Sequence, residues 1–368
     1  MLKEEPNLKI AFVLGTKAQF IKSKYVLKEL IKHNMNLTII DTGQHKEITK
    51  LELKDLNNQF KYVSFSNNEN NISTVFQMFK WFLKIIFTKK KKKDLENIKV
   101  CMIHGDTLST LIGLFIAKKH KMQVIHLESG LSSHKLIKPF PEEIIRRIVA
   151  RFSDILVLDN KQSVKNTEKY SHKKKLIKIS RNTVFDSIIN SALKAETNVG
   201  KSLTVTVHRT ENIYNINKLR DFVNLLIEIK NKSIFETINW FCHDITINAL
   251  RKNNFENLLL KNSINLKNLL KHDLFVRELL SSKAIITDGG SIAEECSILG
   301  LKTAIWRDVV ENKDYLNEKV ILTNYDKNSI IKFLQNNSIS SNTIDDIKKL
   351  HIESPSKELV KNLISIYN

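Results

Sequence analysis

Val100 to Arg151 reads VCMIHGDTLSTLIGLFIAKKHKMQVIHLESGLSSHKLIKPFPEEIIRRIVAR. A short apolar run closes on His104-Gly105-Asp106-Thr107, and a segment of helical length follows. A second apolar run closes on His126-Leu127-Glu128-Ser129-Gly130. Short apolar runs alternating with helix-length segments predict buried parallel strands joined by crossover helices. In open sheets of that kind, ligands collect beyond the carboxyl ends of the strands. Asp106 and Glu128 each fall just past such an end and are expected to face one crevice. Downstream, Pro139-Phe140-Pro141-Glu142-Glu143 opens an amphipathic segment that carries Arg146 and Arg147. Pro141 suits a first helical turn and the two acids suit its positive end. Glu142 thus brings a third carboxylate to a helix entrance.

Each of these residues also has a purely structural reading. An Asp after a strand commonly caps a helix, and a Glu in a first turn commonly complements the dipole. His104 and His126, at the ends of apolar runs, suit packed and hydrogen-bonded side chains. Capping alone does not ask for glycine at each strand exit, however. Gly105 and Gly130 permit a sharp turn or a close approach to a ligand. The joint pattern therefore points to an active site.

At 368 residues the chain suits two domains. Apolar content of 42% and charged content of 27% are those of a globular protein. No run reaches the roughly 18–20 apolar residues of a membrane span. The opening MLKEEPNLKIAFVLG carries acids and enters a strand-like run, unlike a secretory signal. Cys101, Cys242 and Cys296 show neither metal spacing nor pairing, which suits a reducing cytoplasm. The expected location is cytoplasmic. The net charge of +20 comes from lysine spread over nearly every segment, without an aromatic-and-basic platform, so nucleic acid is not an expected partner. One cluster stands apart, Trp81 to Phe87 followed by Thr88 and Lys89 to Lys93. A core helix with a solvated loop explains it. Bulky apolar residues beside a polybasic run can also contact an anionic membrane surface. That contact is not expected here, because the lysine bias runs through the whole chain.

Leu8 to Leu14 is a strand ended by Gly15-Thr16-Lys17, and Phe20 to Lys32 has helical periodicity. Leu37 to Ile40 is the next strand, leading into Asp41-Thr42-Gly43-Gln44-His45. Residues 72 to 87 read as a helix, Asn182-Thr183-Val184-Phe185-Asp186 begins another, and 194–201 reads as a linker. A second alternating unit starts with the strand Ser202 to Val207, ending at His208-Arg209-Thr210-Glu211-Asn212. Helix 217–231, strand 237–242 with His243, and strand Ala284 to Ile286 follow. The last runs into Thr287-Asp288-Gly289-Gly290-Ser291-Ile292-Ala293-Glu294-Glu295. Two glycines before a helix offer backbone N–H groups and a positive dipole end to an anion. Glu295, about one turn in, lies in reach of a ribose. A C-terminal helix from Ile344 to Tyr367 completes the chain. The predicted fold is α/β, with two doubly wound Rossmann-like domains facing a central cleft. The expected domains are 1–194, 195–345, and a C-terminal helix over 346–368 that packs back on the first.

Together these motifs resemble the non-hydrolysing UDP-N-acetylglucosamine 2-epimerases, a family with the GT-B fold. The resemblance covers nearly the whole chain. It rests on Gly15-Thr16-Lys17, Thr42-Gly43-Gln44-His45, His104-Gly105-Asp106-Thr107, His126 to Leu131, Pro139 to Glu143, His208 to Asn212 and Thr287 to Gly290. It implies that Asp106, Glu128, Glu142 and His208 hold the acid/base and active-site positions. It places Lys17 beside the diphosphate and Lys22 and Arg146 among the basic residues of the site. Gly289, Gly290, Ser291 and Glu295 fall on the UDP-binding turn and the ribose-binding acid, with His243 added to the nucleotide set. Gln44 and His45 match a region that binds an activating second substrate molecule in some members. The chain departs from the family at Lys17 and Ser132, where arginine is usual, and at Gly289-Gly290-Ser291, where the order is Ser-Gly-Gly. The family's Arg-Pro-Glu is also absent after Arg307-Asp308.

The resemblance implies an isomerase that exchanges UDP-GlcNAc and UDP-ManNAc, or a related UDP-N-acetylhexosamine, for surface polysaccharide biosynthesis. UDP would leave C1 as a base takes the C2 proton, and would then return. No metal and no cofactor is required, and a homodimer is expected. The rival reading is a GT-B glycosyltransferase that uses a nucleotide-sugar donor in capsule or lipopolysaccharide assembly.

Overall fold

The computed structural model describes residues 8–44, 53–56, 59–65, 80–85, 93–132, 141–195, 200–310, 312–349 and 353–368. The chain divides into two compact units, Met1–Ser187 with Glu353–Asn368, and Ile188–Ile352. Each is built on one parallel sheet.

The first unit has seven strands: β1 (Lys9–Leu14), β2 (Asn36–Asp41), β3 (Lys61–Ser64), β4 (Val100–His104), β5 (Gln123–Leu127), β6 (Ile155–Leu158) and β7 (Lys175–Lys178). Their order is β3-β2-β1-β4-β5-β6-β7, so the winding reverses between β1 and β4. β4 is buried at every residue and pairs in parallel with β5 from Val100↔Gln123 to His104↔Leu127. Along β1 the side chains sort by parity, as a pleated strand requires. Ile10, Phe12 and Leu14 join a core with Phe20, Val26, Leu27 and Leu30 of helix α1 (Lys17–Lys32). Ala11 and Val13 point to the other face, with Ile112, Ile116 and Ala117 of α2 (Leu108–Lys119) and Ile145 and Val149 of α3 (Glu142–Phe152). Both faces are covered, which is why these strands read as unbroken apolar runs. The first helix starts earlier than periodicity suggested, because Thr16 and Gln19 form a capping box ahead of the apolar stripe. Of the helix expected over 72–87, only 80–85 lies among the described residues, and it is helical.

The C-terminal segment is two helices, not one. Ile344–Lys349 precedes Pro355–Tyr367, which starts at Pro355 with Ser354 as its cap. Proline is well placed at a first helical position and could not continue an earlier helix. The last helix lays Leu359, Val360 and Leu363 into the core of β1 and α1. Its amino end donates from Ser356 N–H to Asp186 at 2.9 Å, and its far end from the Tyr367 hydroxyl to Gln123 at 2.6 Å.

The second unit has six strands: β8 (Ser202–Thr206), β9 (Thr237–Cys242), β10 (Ile264–Asn268), β11 (Ser282–Thr287), β12 (Thr303–Ile305) and β13 (Val320–Leu322). The order β10-β9-β8-β11-β12-β13 repeats the same plan, with its reversal between β8 and β11. Trp240 and Trp306 flank Phe222 at ring centroids of 5.2 and 5.3 Å in its core. The expected doubly wound α/β plan is therefore present in each unit.

Candidate active site

In the first unit the exits of β4 and β5 carry two of the acids singled out from the sequence, Asp106 and Glu128. Past β4 the chain turns through Gly105 to Asp106, and Thr107 caps α2 by accepting from the Thr110 amide at 3.3 Å. Capping therefore falls to Thr107, which releases Asp106 from the structural role that a strand-following Asp commonly fills. Past β5, Glu128 adopts a left-handed backbone at φ 56°, which is costly for a residue with a β-carbon. Gly130 follows at φ +87°, where an added Cβ would sit 2.7 Å from the Ser163 carbonyl. Only glycine fits there, and it lets the β5 exit double back so that the Glu128 carboxylate lies under α1.

Two ion pairs hold the acids. Lys22 Nζ, from α1, meets Glu128 Oε1 at 2.5 Å, and His104 Nδ1 lies 3.5 Å from Glu128 Oε2. Burial works against ionisation of Glu128, but Lys22, His104 and Arg146 overcome it and hold the group at about 2. Arg146, from α3, places both Nε and Nη2 at 2.6 Å from Asp106 Oδ2. Burial raises the pKa of Asp106 against that guanidinium. Arg146 is steadied from behind by Glu143, which is fully buried and also accepts from Ser132 Oγ at 2.7 Å and Arg147 Nε at 3.1 Å. Ser132, standing where the family has arginine, thus helps to fix the network that aims Arg146.

The two histidines are buried, and burial lowers both to about 4. His126 Nε2 pairs with the Gly105 carbonyl at 2.8 Å, so it shapes the β4 exit. His104 lies behind Glu128. Glu142 opens α3 at its first turn, and its Oε2 is buried without a hydrogen-bond partner among the described residues. Lys17 is the first residue of α1 and half-buried. Gln44 accepts from Ser109 Oγ at 2.6 Å, tying the β2 exit to α2, while His45 lies outside the described residues. The structure therefore gathers Lys22, Asp106, Glu128 and Arg146 into one charged cluster, and among the described residues no hydrogen bond or ion pair joins Glu142 or Lys17 to it.

Sequence reasoning passed over Gln19. Its side chain accepts from the Gly15 and Thr16 amides at 3.0 and 3.2 Å and donates to the His104 carbonyl at 2.8 Å. It locks the β1 exit to the β4 exit, and its place three residues after Thr16 was the available signal.

In the second unit the organising group is Asp288, fully buried just past β11. It accepts from the amides of His208 and Arg209 at 3.0 and 2.8 Å and from Asn212 Nδ2 at 2.9 Å. A buried carboxylate with this many donors is stable only because they are satisfied together. It draws the β8 exit against the β11 exit and sets His208, whose ring stands 4.6 Å from that of His243. Burial lowers the pKa of His208, against the pull of Asp288. Gly289 caps the helix Gly290–Leu299, and a Cβ there would come within 3.4 Å of His208 Cε1. Ser291 is exposed in the first turn of that helix. Glu295, 6% exposed, sits on its buried side. Among the described residues no group of three His, Cys, Asp or Glu could hold a metal ion.

Residues 28–363 match the family model described as UDP-N-acetylglucosamine 2-epimerase. The chain belongs to the UDP-N-acetylglucosamine 2-epimerase family. It is similar to the UDP-N-acetylglucosamine 2-epimerase of Campylobacter jejuni, 25% identical over 333 residues, 85% of each chain. It is similar also to that of Methanocaldococcus jannaschii, 26% identical over 349 residues, 89% of this chain and 92% of the relative. The solved structure of the M. jannaschii UDP-GlcNAc 2-epimerase in complex with UDP-GlcNAc and UDP matches at a TM-score of 0.78 and 24% identity, over 98% of this chain and 100% of that one. That likeness bears out the fold expected from the sequence.

Proposed function

We propose that this family member is a non-hydrolysing UDP-N-acetylglucosamine 2-epimerase, an isomerase that interconverts UDP-GlcNAc and UDP-ManNAc or a closely related UDP-N-acetylhexosamine. One observation carries the reading furthest. Two acids at neighbouring strand exits each hold a cation, Glu128 with Lys22 and Asp106 with Arg146. The reaction needs such a set. A carboxylate removes the proton from C2 while the C1–O bond breaks and its electron pair leaves with UDP. The C2=C1 intermediate then takes a proton on the opposite face, and UDP re-forms the bond to C1. Glu128, ionised over the whole working range, suits proton removal. Asp106, whose carboxyl burial pushes upward, suits proton return. Glu142 and His208 complete the acid/base set. Lys17, Lys22 and Arg146 offset the charge that develops on the departing diphosphate.

The second unit supplies the nucleotide site in this reading, through Gly289, Gly290, Ser291, Glu295 and His243. Gln44 and His45 would bind a second, activating substrate molecule. The protein works as a homodimer in the cytoplasm and serves surface polysaccharide biosynthesis. A glycosyl transfer to an acceptor would not call for two acids placed to exchange a proton at C2.

Incubation of the full chain with UDP-GlcNAc in deuterated water tests this, with 1H NMR of the C2 and anomeric signals. The expected result is deuterium at C2 together with the manno epimer. Turnover of the nucleotide sugar with C2 protium fully retained would sink the epimerase reading.

A further inference from the structure

The second unit holds a histidine that neither the motifs nor the family resemblance singled out. His272 opens the helix His272–Ser281, just after β10, on a different element from the glycine turn. Its Nε2 lies 3.2 Å from Glu295 Oε1. The histidine side chain is 16% exposed and the Glu295 side chain 8%. The other carboxylate oxygen, Glu295 Oε2, is buried and has no hydrogen-bond partner among the described residues. A buried carboxylate oxygen without a donor is an unfavourable arrangement in a folded protein, and such groups mark places where a ligand completes the bonding.

We propose that His272 is a positioning residue. It pins one oxygen of Glu295 from the neighbouring helix, so that the second is held ready for a hydroxyl of a ribonucleotide. The proposal rests on the reading of Glu295 as the ribose-binding acid.

A glutamate side chain has three rotatable bonds, and freezing them on ligand binding costs affinity. A donor already bonded to Oε1 removes much of that cost before the nucleotide arrives. The effect is confined to the ribose hydroxyl, because His272 acts through Glu295 and on nothing else in the nucleotide. Losing the histidine should therefore reduce discrimination between ribose and a sugar that lacks its hydroxyls. It should not weaken nucleotide binding across the board.

The test is calorimetric titration of the full chain with UDP and with 2′,3′-dideoxyuridine diphosphate. A hydrogen bond to a charged group predicts that the wild type prefers UDP by roughly tenfold or more. Glu295→Ala should bring that preference near unity. His272→Phe should lower it by about fivefold with affinity for the dideoxy nucleotide unchanged, and His272→Gln, which keeps an N–H donor, should restore most of it. Circular dichroism and Tm of each variant check folding, and the Gln variant carries the test if Phe is not tolerated. Full preference in His272→Phe, beside its loss in Glu295→Ala, would overturn the proposal. Equal weakening for both nucleotides would overturn it too, because a merely structural role predicts that. A wild type that binds both alike, or a Glu295→Ala variant that keeps the preference, would instead refute the reading of Glu295 itself, and the proposal with it.

Discussion

Glu128 combines a left-handed backbone, a lysine at 2.5 Å and a buried histidine behind it. A left-handed backbone costs energy in a residue with a β-carbon, and the contacts to Lys22 and His104 hold Glu128 there. Replacement by Gln keeps shape and removes charge. We expect kcat to fall by roughly two decades or more, the scale of a lost acid–base group, with affinity for UDP nearly unchanged. Steady-state kinetics with UDP titrations checks this, and an equal loss in both would remove Glu128 from the chemistry. Asp159, at the exit of the next strand, behaves in the opposite sense. It accepts from Asn182 at 2.7 Å, and burial, with the nearby charge of Glu128, raises it from 3.8 to about 7. Its folded carboxyl therefore keeps a proton that the unfolded chain gives up near pH 4. Folding gains from this group at low pH and loses that gain as pH rises through about 7. Asp159→Asn keeps one of the two oxygens that accept from Asn182 and Asn160 and so leaves one amide without its acceptor at every pH, which is why its absolute stability is not the test. The difference from wild type should shift in the variant's favour between pH 5 and pH 8 in urea melts. A difference that does not change with pH would refute the assignment.

At the scale of elements, the site is made by strand exits and by the turns that aim them. Gly130 is the critical joint, because φ +87° and the Ser163 carbonyl at 2.7 Å from a built Cβ both exclude a side chain. Gly130→Ala should cost about 2–4 kcal/mol in denaturant unfolding, the sum of backbone strain and a clash with rigid backbone. Loss of activity should exceed the loss of folded protein, since Glu128 sits two residues away. A change below about 0.5 kcal/mol would mean that the turn relaxes freely.

For the whole molecule, the charge of +20 is the outstanding property. Among the described residues no helix is long and apolar enough to cross a membrane. Lys93 is exposed, and Lys89 to Lys92 lie outside the described residues. With the lysine excess dispersed, we expect little binding to anionic vesicles at physiological ionic strength. We also expect near-normal activity after Lys89, Lys91 and Lys93 are reversed to Glu, because exposed charges contribute little individually. Co-sedimentation with phosphatidylserine vesicles checks this. Strong binding that fades with salt and vanishes in the triple variant would establish a membrane-facing patch.

What the sequence determined by itself was the doubly wound plan and the acid-bearing strand exits. Unbroken apolar runs such as 100–104 and 123–127 have one stable use, as strands covered on both faces, and in such sheets the residue after the run faces ligand space. The order of motifs likewise carried the family. The tertiary structure decided what the acids pair with, because pairing depends on neighbours far apart in the chain. Lys22 reaches Glu128 across 106 residues, and Asp288 gathers the amides of His208 and Arg209 from about 80 residues away. No local pattern shows that Thr107 rather than Asp106 caps α2, that Glu143 is a buried anchor while its neighbour Glu142 is not, or that His272 meets Glu295 from another helix. Periodicity reports which face of an element is buried. Which charge lies opposite is set by packing, because the energy of a buried carboxylate depends on the donors that surround it.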